Sequence, residues 1–492
     1  MAPTATDEPS HQPLWADRDA LRTDFTLAMS AMYKAEVPLY GDLVRIVGDV
    51  NHSTLHTNPL DPKVLNMRYG TSCSSPSSSS TPTRLDIERH GAIRLGTPDE
   101  LRTIRRIFAL IGLHPVGYYD LSPAGLPMHA TCFRPRHHSS LARNPFRVFT
   151  SVLRPSLLRS PRARDLSLSL LRRRSIFSPE LLHLLDLADS QSGRLTPTQG
   201  VVFVREAMRT FGWHSTAAAT HDEYTCLQAE HPILADIACF RSSHINHLTP
   251  RTLDISAAQE RMKTQGLKVK DRIEGPPPRA CPILLRQTSF LAIEEAIEFL
   301  SAGGAPGSPL VSGSHRARFG EIEERGAAVT PRGRKLYDEL LDEAMAAAKA
   351  SAEPVSGNEM DRLVVSSFEK YPDDWDELRR QGLIYCSYRC TDKGVNAQLD
   401  AKTYGLEKLV EDGMLEAVPL TYEDFLPLSA AGIFQSNLGS ASPSGAGETS
   451  PDVEGMEEAL GTKLEDADEL YRRMQSESID ECASKLGIYI GH

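Results

Sequence analysis

Residues 88–112 read ERHGAIRLGTPDELRTIRRIFALIG, and this stretch decides the fold class. Its first half suits a short strand that stops at Gly96. Thr97 then offers a hydroxyl N-cap, Pro98 fits the first helical position, and Glu100 has capping-box spacing. Leu101, Ile104, Ile107, Phe108 and Ile111 fall on one helical stripe, and Gly112 is a suitable stop. Two further strand candidates follow, PVGYYDLS and PMHATCFRP. The unit therefore reads strand, helix, strand, strand.

The same order recurs downstream. HINHLTPR reads as a strand, Ser256 and Gln259 as a capping box, and Gly266 as a helix stop. VKDRIEG, PILLRQTSF and RFGEIEERG complete the second unit as strands. A repeat of one supersecondary unit predicts an α+β fold: paired βαβββ modules forming one curved sheet around a shared cavity. The segmentation that follows is a disordered, polar N-terminus over 1–18, a helical region over 19–71, a Ser-rich flexible insertion over 72–83, and the first module over 84–140. A helical insertion spans 141–224, the second module 225–332, and a mixed region that closes the site 333–439. A second flexible insertion covers 440–452, and two exposed helices 453–492.

Composition narrows the function classes. The chain has 492 residues, 40% hydrophobic and 24% charged, which fits a globular protein of more than one structural unit. A net charge of −11 argues against nucleic acid as a partner, since phosphate binding needs a cationic face. The seven arginines between Arg154 and Arg174 read as a solvated helix surface. No apolar run reaches membrane-spanning length, and the acidic, Pro-rich start lacks a secretory or mitochondrial pattern. The cytoplasm is the expected compartment. Eight dispersed cysteines, of which only Cys386 and Cys390 are close, suit reduced thiols rather than a zinc site.

The chemistry-bearing residues sit on the expected strands. Alternation puts His90, Ala92 and Arg94 on one strand face, and His244 and His247 on opposite faces of another. His247 holds nearly the place in its module that His90 holds in the first. Glu321 and Glu323 share a face of the last strand, while Glu324 points away. His129 could also face the cavity; His137 and His138 read as loop residues, and His214, His221 and His231 have no ligand-like spacing. Two histidines and one carboxylate leave three open positions on an octahedral iron(II), the number that a chelating 2-oxo acid plus O2 requires. The residues alone leave Glu321 and Glu323 both open as the carboxylate. They also leave Arg94 either a substrate clamp or a structural ion pair with Glu88 or Glu323.

ERHGAIRLGTPDELRTIRRIFALIGLHPVGYYDLS, HINHLTPRTLDI, ARFGEIEERG and YEDFLPLSAAGIFQSNLG together resemble the 2-oxoadipate dioxygenase/decarboxylase family, also called 2-hydroxyglutarate synthase. The resemblance runs from about Leu21 to Gly487, and the family is similar to the vicinal oxygen chelate superfamily. It implies an Fe(2+) enzyme of lysine catabolism that converts a small 2-oxo dicarboxylic acid, 2-oxoadipate, and O2 to 2-hydroxyglutarate and CO2. By the same resemblance His90, His247 and Glu321 are the metal ligands that receive the substrate. Arg94 is the catalytic substrate contact, and Leu428 is a further substrate contact where the family usually has Val. FGEIEER also resembles the FxEIxxR strand of hydroxyphenylpyruvate dioxygenases, which favours Glu321 over Glu323. Two alternatives remain at this point. One is another metalloenzyme of the same architecture, such as a ring-cleaving dioxygenase or an isomerase. The other is a non-catalytic metal or small-acid binding protein.

Overall fold

Gly96-Thr97-Pro98 ends one element and starts the next. Strand β1 (His90–Leu95) gives way to a helix over Pro98–Leu110 whose first turn is capped by Thr97, its hydroxyl accepting from the Glu100 amide. Glu100 does not close the reciprocal box. Its carboxylate accepts instead from the Gly96 amide at 2.8 Å and from Arg174 at 2.7 Å. The structure is a computed structural model describing residues 14–57, 60–69, 88–301, 309–351, 355–426 and 451–491. The Ser-rich stretch 72–83, most of 440–452 and Leu428 lie outside the described residues.

The expected pair of modules is present. The first comprises β1, β2 (His114–Asp120), β3 (Met128–Arg134) and β4 (Arg147–Leu153). β5 (Thr216–Thr220) belongs to a separate small sheet, and β6 (His247–Thr249), β7 (Leu285–Ser289), β8 (Glu294–Leu300), β9 (Val311–Arg316) and β10 (Phe319–Arg325) follow. One curled seven-stranded sheet runs in the order β2-β3-β4-β1-β6-β10-β7. In each half the first strand lies parallel to the last, β1 to β4 and β6 to β10. The last strand is antiparallel to the one beside it, β4 to β3 and β10 to β7. The two first strands meet antiparallel at the centre, with His90 opposite Thr249, Gly91 opposite Leu248 and Ala92 opposite His247. This crossing relates the halves by an approximate two-fold axis and brings both histidines to the middle of the sheet. Gly91 allows close packing there, since a Cβ would sit 2.8 Å from Ile245 Cδ1 and 2.9 Å from Leu248 Cδ2 and those side-chain ends would have to shift.

Both faces of the sheet are covered. On one, Ile93, Leu95, Val148, Val152, Leu248 and Ile322 join Phe25, Met29, Leu43 and Ile46 of the N-terminal helices, and Ile104 and Phe108 of the first module's helix, in one core. On the other, Ala92, Ala130, Cys132 and Phe149 pack with Tyr385, Tyr388, Tyr422, Phe425 and Tyr471 from the C-terminal region. Burial of each such side chain stabilises by about 1.5–3 kcal/mol, so the C-terminal region is an integral layer of the fold.

Several expectations need correction. β4 lies in the segment read as the start of the helical insertion; its seven residues are all buried, so no polar alternation marks it. Residues 269–274 form no strand and run beside β7 and Phe290 through isolated bridges, Val269 to Phe290 and Glu274 to Gln287, and a Lys270 amide bond to the Ser289 carbonyl. The second module's helix starts at Ile255 with Asp254 as its cap, while Gln259 turns inward to the Lys270 carbonyl. The hairpin β8–β9 leaves the main sheet and joins β5. The two C-terminal helices, Val453–Leu460 and Ala467–Leu486, are packed rather than exposed, burying Met456, Leu460, Leu470, Tyr471 and Met474. No helix among the described residues is long and apolar enough to cross a membrane.

Candidate metal and substrate site

The strand pattern carries His90, Ala92 and Arg94 from β1, His247 and Thr249 from β6, and Glu321 and Glu323 from β10 to the same side of the sheet. There His90, His247 and Glu321 come together: one ligand atom from each lies within 4.8 Å of the others, and all three residues are buried. His90 Nε2 is 3.0 Å from Glu321 Oε1. Two buried polar atoms in this group have no hydrogen-bond partner, His247 Nδ1 and Glu321 Oε2. Leaving such atoms unpaired in a dry interior costs free energy that a bound cation would recover. The donor set, two imidazoles and one carboxylate, is one that divalent first-row metals accept. The residues therefore fit a metal ion.

Glu323, the rival carboxylate, is already committed. Arg325 holds both of its oxygens at 2.9 Å, Arg89 Nε lies 3.2 Å from Oε1, and His90 Nδ1 donates to Oε2 at 2.9 Å. That last bond fixes the proton of His90 on Nδ1 and leaves Nε2 to face the cluster. The charges follow from these surroundings. Burial pushes Glu323 up, but Arg325 and then His90 outweigh it and hold the carboxyl well below its usual range. Glu321 is raised, by burial first, with the neighbouring charge of Glu323 adding to it. Burial would lower His90, yet Glu323 and Glu321 together raise it. His247 lies well below its ordinary value, through burial and then the charges of His90 and Arg94, which leaves it the neutral imidazole that a metal ligand must be.

The walls are dry and held in place. Phe425 stands edge-on to His90 with ring centres 4.8 Å apart, and Phe319 stacks on His247 at 4.6 Å. The Tyr422–Phe425 segment is pinned by buried ion pairs. Glu423 receives Arg89 and Arg147, and Asp424 receives Arg134 at 2.7 and 3.0 Å and the Tyr471 hydroxyl at 2.6 Å. Arg325 bonds the Asp424 carbonyl at 2.7 Å, so one residue ties Glu323 to this segment.

Arg94 is buried on the expected face. Neither Glu88 nor Glu323 is its partner; Arg94 Nη1 donates to Asp236 Oδ2 at 2.6 Å. His244 does not approach the metal cluster and instead bonds Asp236 at 3.1 Å. His129 lies beside Tyr118, and its register opposite Val152 puts it on the helix-covered face, away from the cluster. Cys386 and Cys390 are free thiols at the ends of one short strand. Asp236, Arg325, Arg89 and Glu423 were not singled out from sequence. Their signal was weak but present: charged residues inside otherwise apolar stretches such as ILADIACF.

A family model for 2-oxoadipate dioxygenase/decarboxylase matches residues 25–437. The chain belongs to that family. A 2-oxoadipate dioxygenase/decarboxylase of Pseudomonas putida is 44% identical over 471 residues, covering 96% of this chain and 97% of the relative. One of Escherichia coli is 45% identical, covering 94% and 98%, and one of Mycobacterium tuberculosis is 36% identical, covering 93% and 97%. Among solved structures, the hydroxyglutarate synthase of P. putida in complex with 2-oxoadipate superposes with a TM-score of 0.84 at 42% identity, over 96% of this chain and all of that one. This likeness spans both modules and the C-terminal region, so the family fold extends over nearly the whole chain.

Proposed function

We propose that this chain is an iron(II)-dependent dioxygenase that converts 2-oxoadipate and O2 to 2-hydroxyglutarate and CO2, a step of lysine catabolism. The observation that carries the reading is the buried meeting of His90, His247 and Glu321, with unpaired donor atoms among them and a cationic side chain further along the same strand face. Family membership supplies the substrate class.

His90 through Nε2, His247 and Glu321 would hold the metal. When bound, iron(II) supplies open positions for a chelating 2-oxo acid and the redox capacity to bring O2 into reaction with it. The chain's own residues do the rest. Glu323 keeps the His90 proton on Nδ1, and the Thr249 hydroxyl steadies Glu321 by donating to Oε1 at 3.3 Å. Phe425 and Phe319 keep bulk water from the ligand rings. Arg94 lies four residues from His90, roughly 13 Å along an extended strand, and its side chain reaches back far enough to take the remote carboxylate of a six-carbon diacid. No second organic acid is needed, because loss of CO2 from the substrate itself supplies two electrons; the atoms of 2-oxoadipate and O2 are all found in the two products.

Replacement of each ligand tests the assignment. His90→Ala, His247→Ala and Glu321→Ala should each lose bound iron and turnover, while His244→Ala should keep its iron. A Glu321→Ala enzyme with full iron content and normal turnover would move the ligand role to Glu323 and overturn the reading.

A further inference from the structure

A second His, His, carboxylate set lies next to the first. Asp236, on the helix Pro232–Ala238, accepts at Oδ1 from His244 Nε2 at 3.1 Å and from His315 Nε2 at 2.9 Å. Its other oxygen, Oδ2, receives Arg94 at 2.6 Å. All four residues are buried. The two sets differ in how they are satisfied. Each set has one imidazole Nδ1 without a partner, His247 in the first and His244 in the second, but Glu321 keeps an unpaired oxygen whereas both oxygens of Asp236 are taken and a guanidinium already supplies the positive charge. A second cation beside Arg94 would be repelled in a dry interior, so this set is built to hold Arg94.

The hold is rigid. Trp213 stacks on His315 with rings 11° from parallel and stands edge-on to His244 at 4.7 Å. Phe240 closes on both imidazoles, at 4.7 Å from His315 and 5.5 Å from His244. The Tyr224 hydroxyl bonds His315 Nδ1 at 2.9 Å. Two imidazoles caged by aromatic rings thus fix one carboxylate, and the carboxylate fixes one edge of the guanidinium. His315 reaches this place only because the β8–β9 hairpin leaves the main sheet.

We infer that Asp236, clamped by His244 and His315, is the positioning residue for Arg94, and that this clamp sets the enzyme's preference for 2-oxo acids carrying a second carboxylate at a fixed distance. The inference rests on the reading of Arg94 as the substrate contact. An unclamped arginine on a flexible stem attracts anions in many poses. One whose charge is partly balanced by Asp236 gains only from a carboxylate that arrives at the fixed place.

The test is anaerobic titration calorimetry of the iron(II)-loaded enzyme with 2-oxoadipate and with 2-oxohexanoate, the same chain without the remote carboxylate. The quantity read is the preference ratio, the dissociation constant of 2-oxohexanoate divided by that of 2-oxoadipate. Asp236→Asn should lower that ratio on the order of 10²-fold, the scale of an ångström-level misplacement. Its iron content and 2-oxohexanoate affinity should stay near wild type. His315→Asn keeps the Arg94–Asp236 pair but loosens the clamp, and should lower the ratio on the order of 10-fold; it carries the test if Asp236→Asn does not fold. Arg94→Ala separates the two levels. If that variant keeps the wild-type ratio, the substrate role of Arg94 is wrong. If Arg94→Ala collapses the ratio while Asp236→Asn or His315→Asn leaves it intact, the clamp inference alone is overturned. The double variant Arg94→Ala/Asp236→Asn should show no further loss beyond Arg94→Ala, and an additive loss would contradict action through Arg94.

Discussion

Glu321 and Glu323 sit two residues apart on one strand face, both fully buried, yet the structure assigns them opposite energetic roles. Substituting glutamine at each separates these roles. At Glu323 the change removes the charge from a carboxylate that meets Arg325 twice at 2.9 Å, Arg89 at 3.2 Å and His90 at 2.9 Å. Two buried guanidinium groups then lose their shared anion, and breaking a buried pair from one side costs about 3–5 kcal/mol. The His90 tautomer is also released, which should weaken iron binding by roughly 10–100-fold. At Glu321 the opposite holds for the metal-free protein. Burial and the Glu323 charge already disfavour its ionised form, so Glu321→Gln should leave the apoprotein no less stable than wild type while abolishing tight iron binding. Urea denaturation of the apoproteins reads the first effect, and anaerobic iron(II) titration reads the second. The reasoning is refuted if Glu321→Gln proves the more destabilising change, or if Glu323→Gln binds iron as tightly as wild type.

Glu423→Gln should lower stability by about 3–5 kcal/mol in urea melts, because Arg89 and Arg147 share its carboxylate, and an unchanged midpoint would show that the Tyr422–Phe425 segment is held by packing alone. His231 caps the Asp236 helix by accepting from the Ile233 amide through Nδ1, and burial, with the Arg94 charge, pushes its pKa from 6.5 to about 4. The folded value lies below the unfolded one, so its contribution is complete above the unfolded value and is lost as pH falls toward the folded one; at about pH 5 the loss approaches about 2 kcal/mol. His231→Ser keeps a capping oxygen and removes the titration, so its Tm should fall less than that of wild type between about pH 7 and pH 5; an equal fall would acquit His231. Gly91→Ala should cost about 1–3 kcal/mol by thermal melting, since the new methyl group meets Ile245 and Leu248 where the two modules cross, and a neutral result would show that those side chains move aside freely.

The modules were legible because their punctuation is local. The Thr97-Pro98 start and the Gly112 and Gly266 stops are read by the backbone alone, and both glycines take positive φ. Pairing His90 with His247 was legible from the repeat, since equivalent positions in two like units meet at a two-fold axis. β4 was not legible because a strand covered on both faces carries no alternation, and its neighbours read as helix. The choice between Glu321 and Glu323 could not come from strand spacing, which gives them one face. It depends on Arg325 and Arg89, and Arg89 arrives from the residue just before β1. The partner of Arg94 was missed for the same reason. Asp236 is 142 positions away in the chain, on a short apolar helix whose single charge is explained only by what folds against it.

The most direct measurement is a single-turnover experiment on anaerobically reconstituted enzyme. Iron(II)-loaded protein would be mixed with 2-oxoadipate and then with 18O2, and the products analysed by mass spectrometry. The account requires equal amounts of CO2 and 2-hydroxyglutarate, none without iron(II), and two atoms of 18O in the hydroxy acid, one in the new carboxylate and one in the hydroxyl. Conversion that proceeds without iron(II), or a product free of 18O, would contradict it.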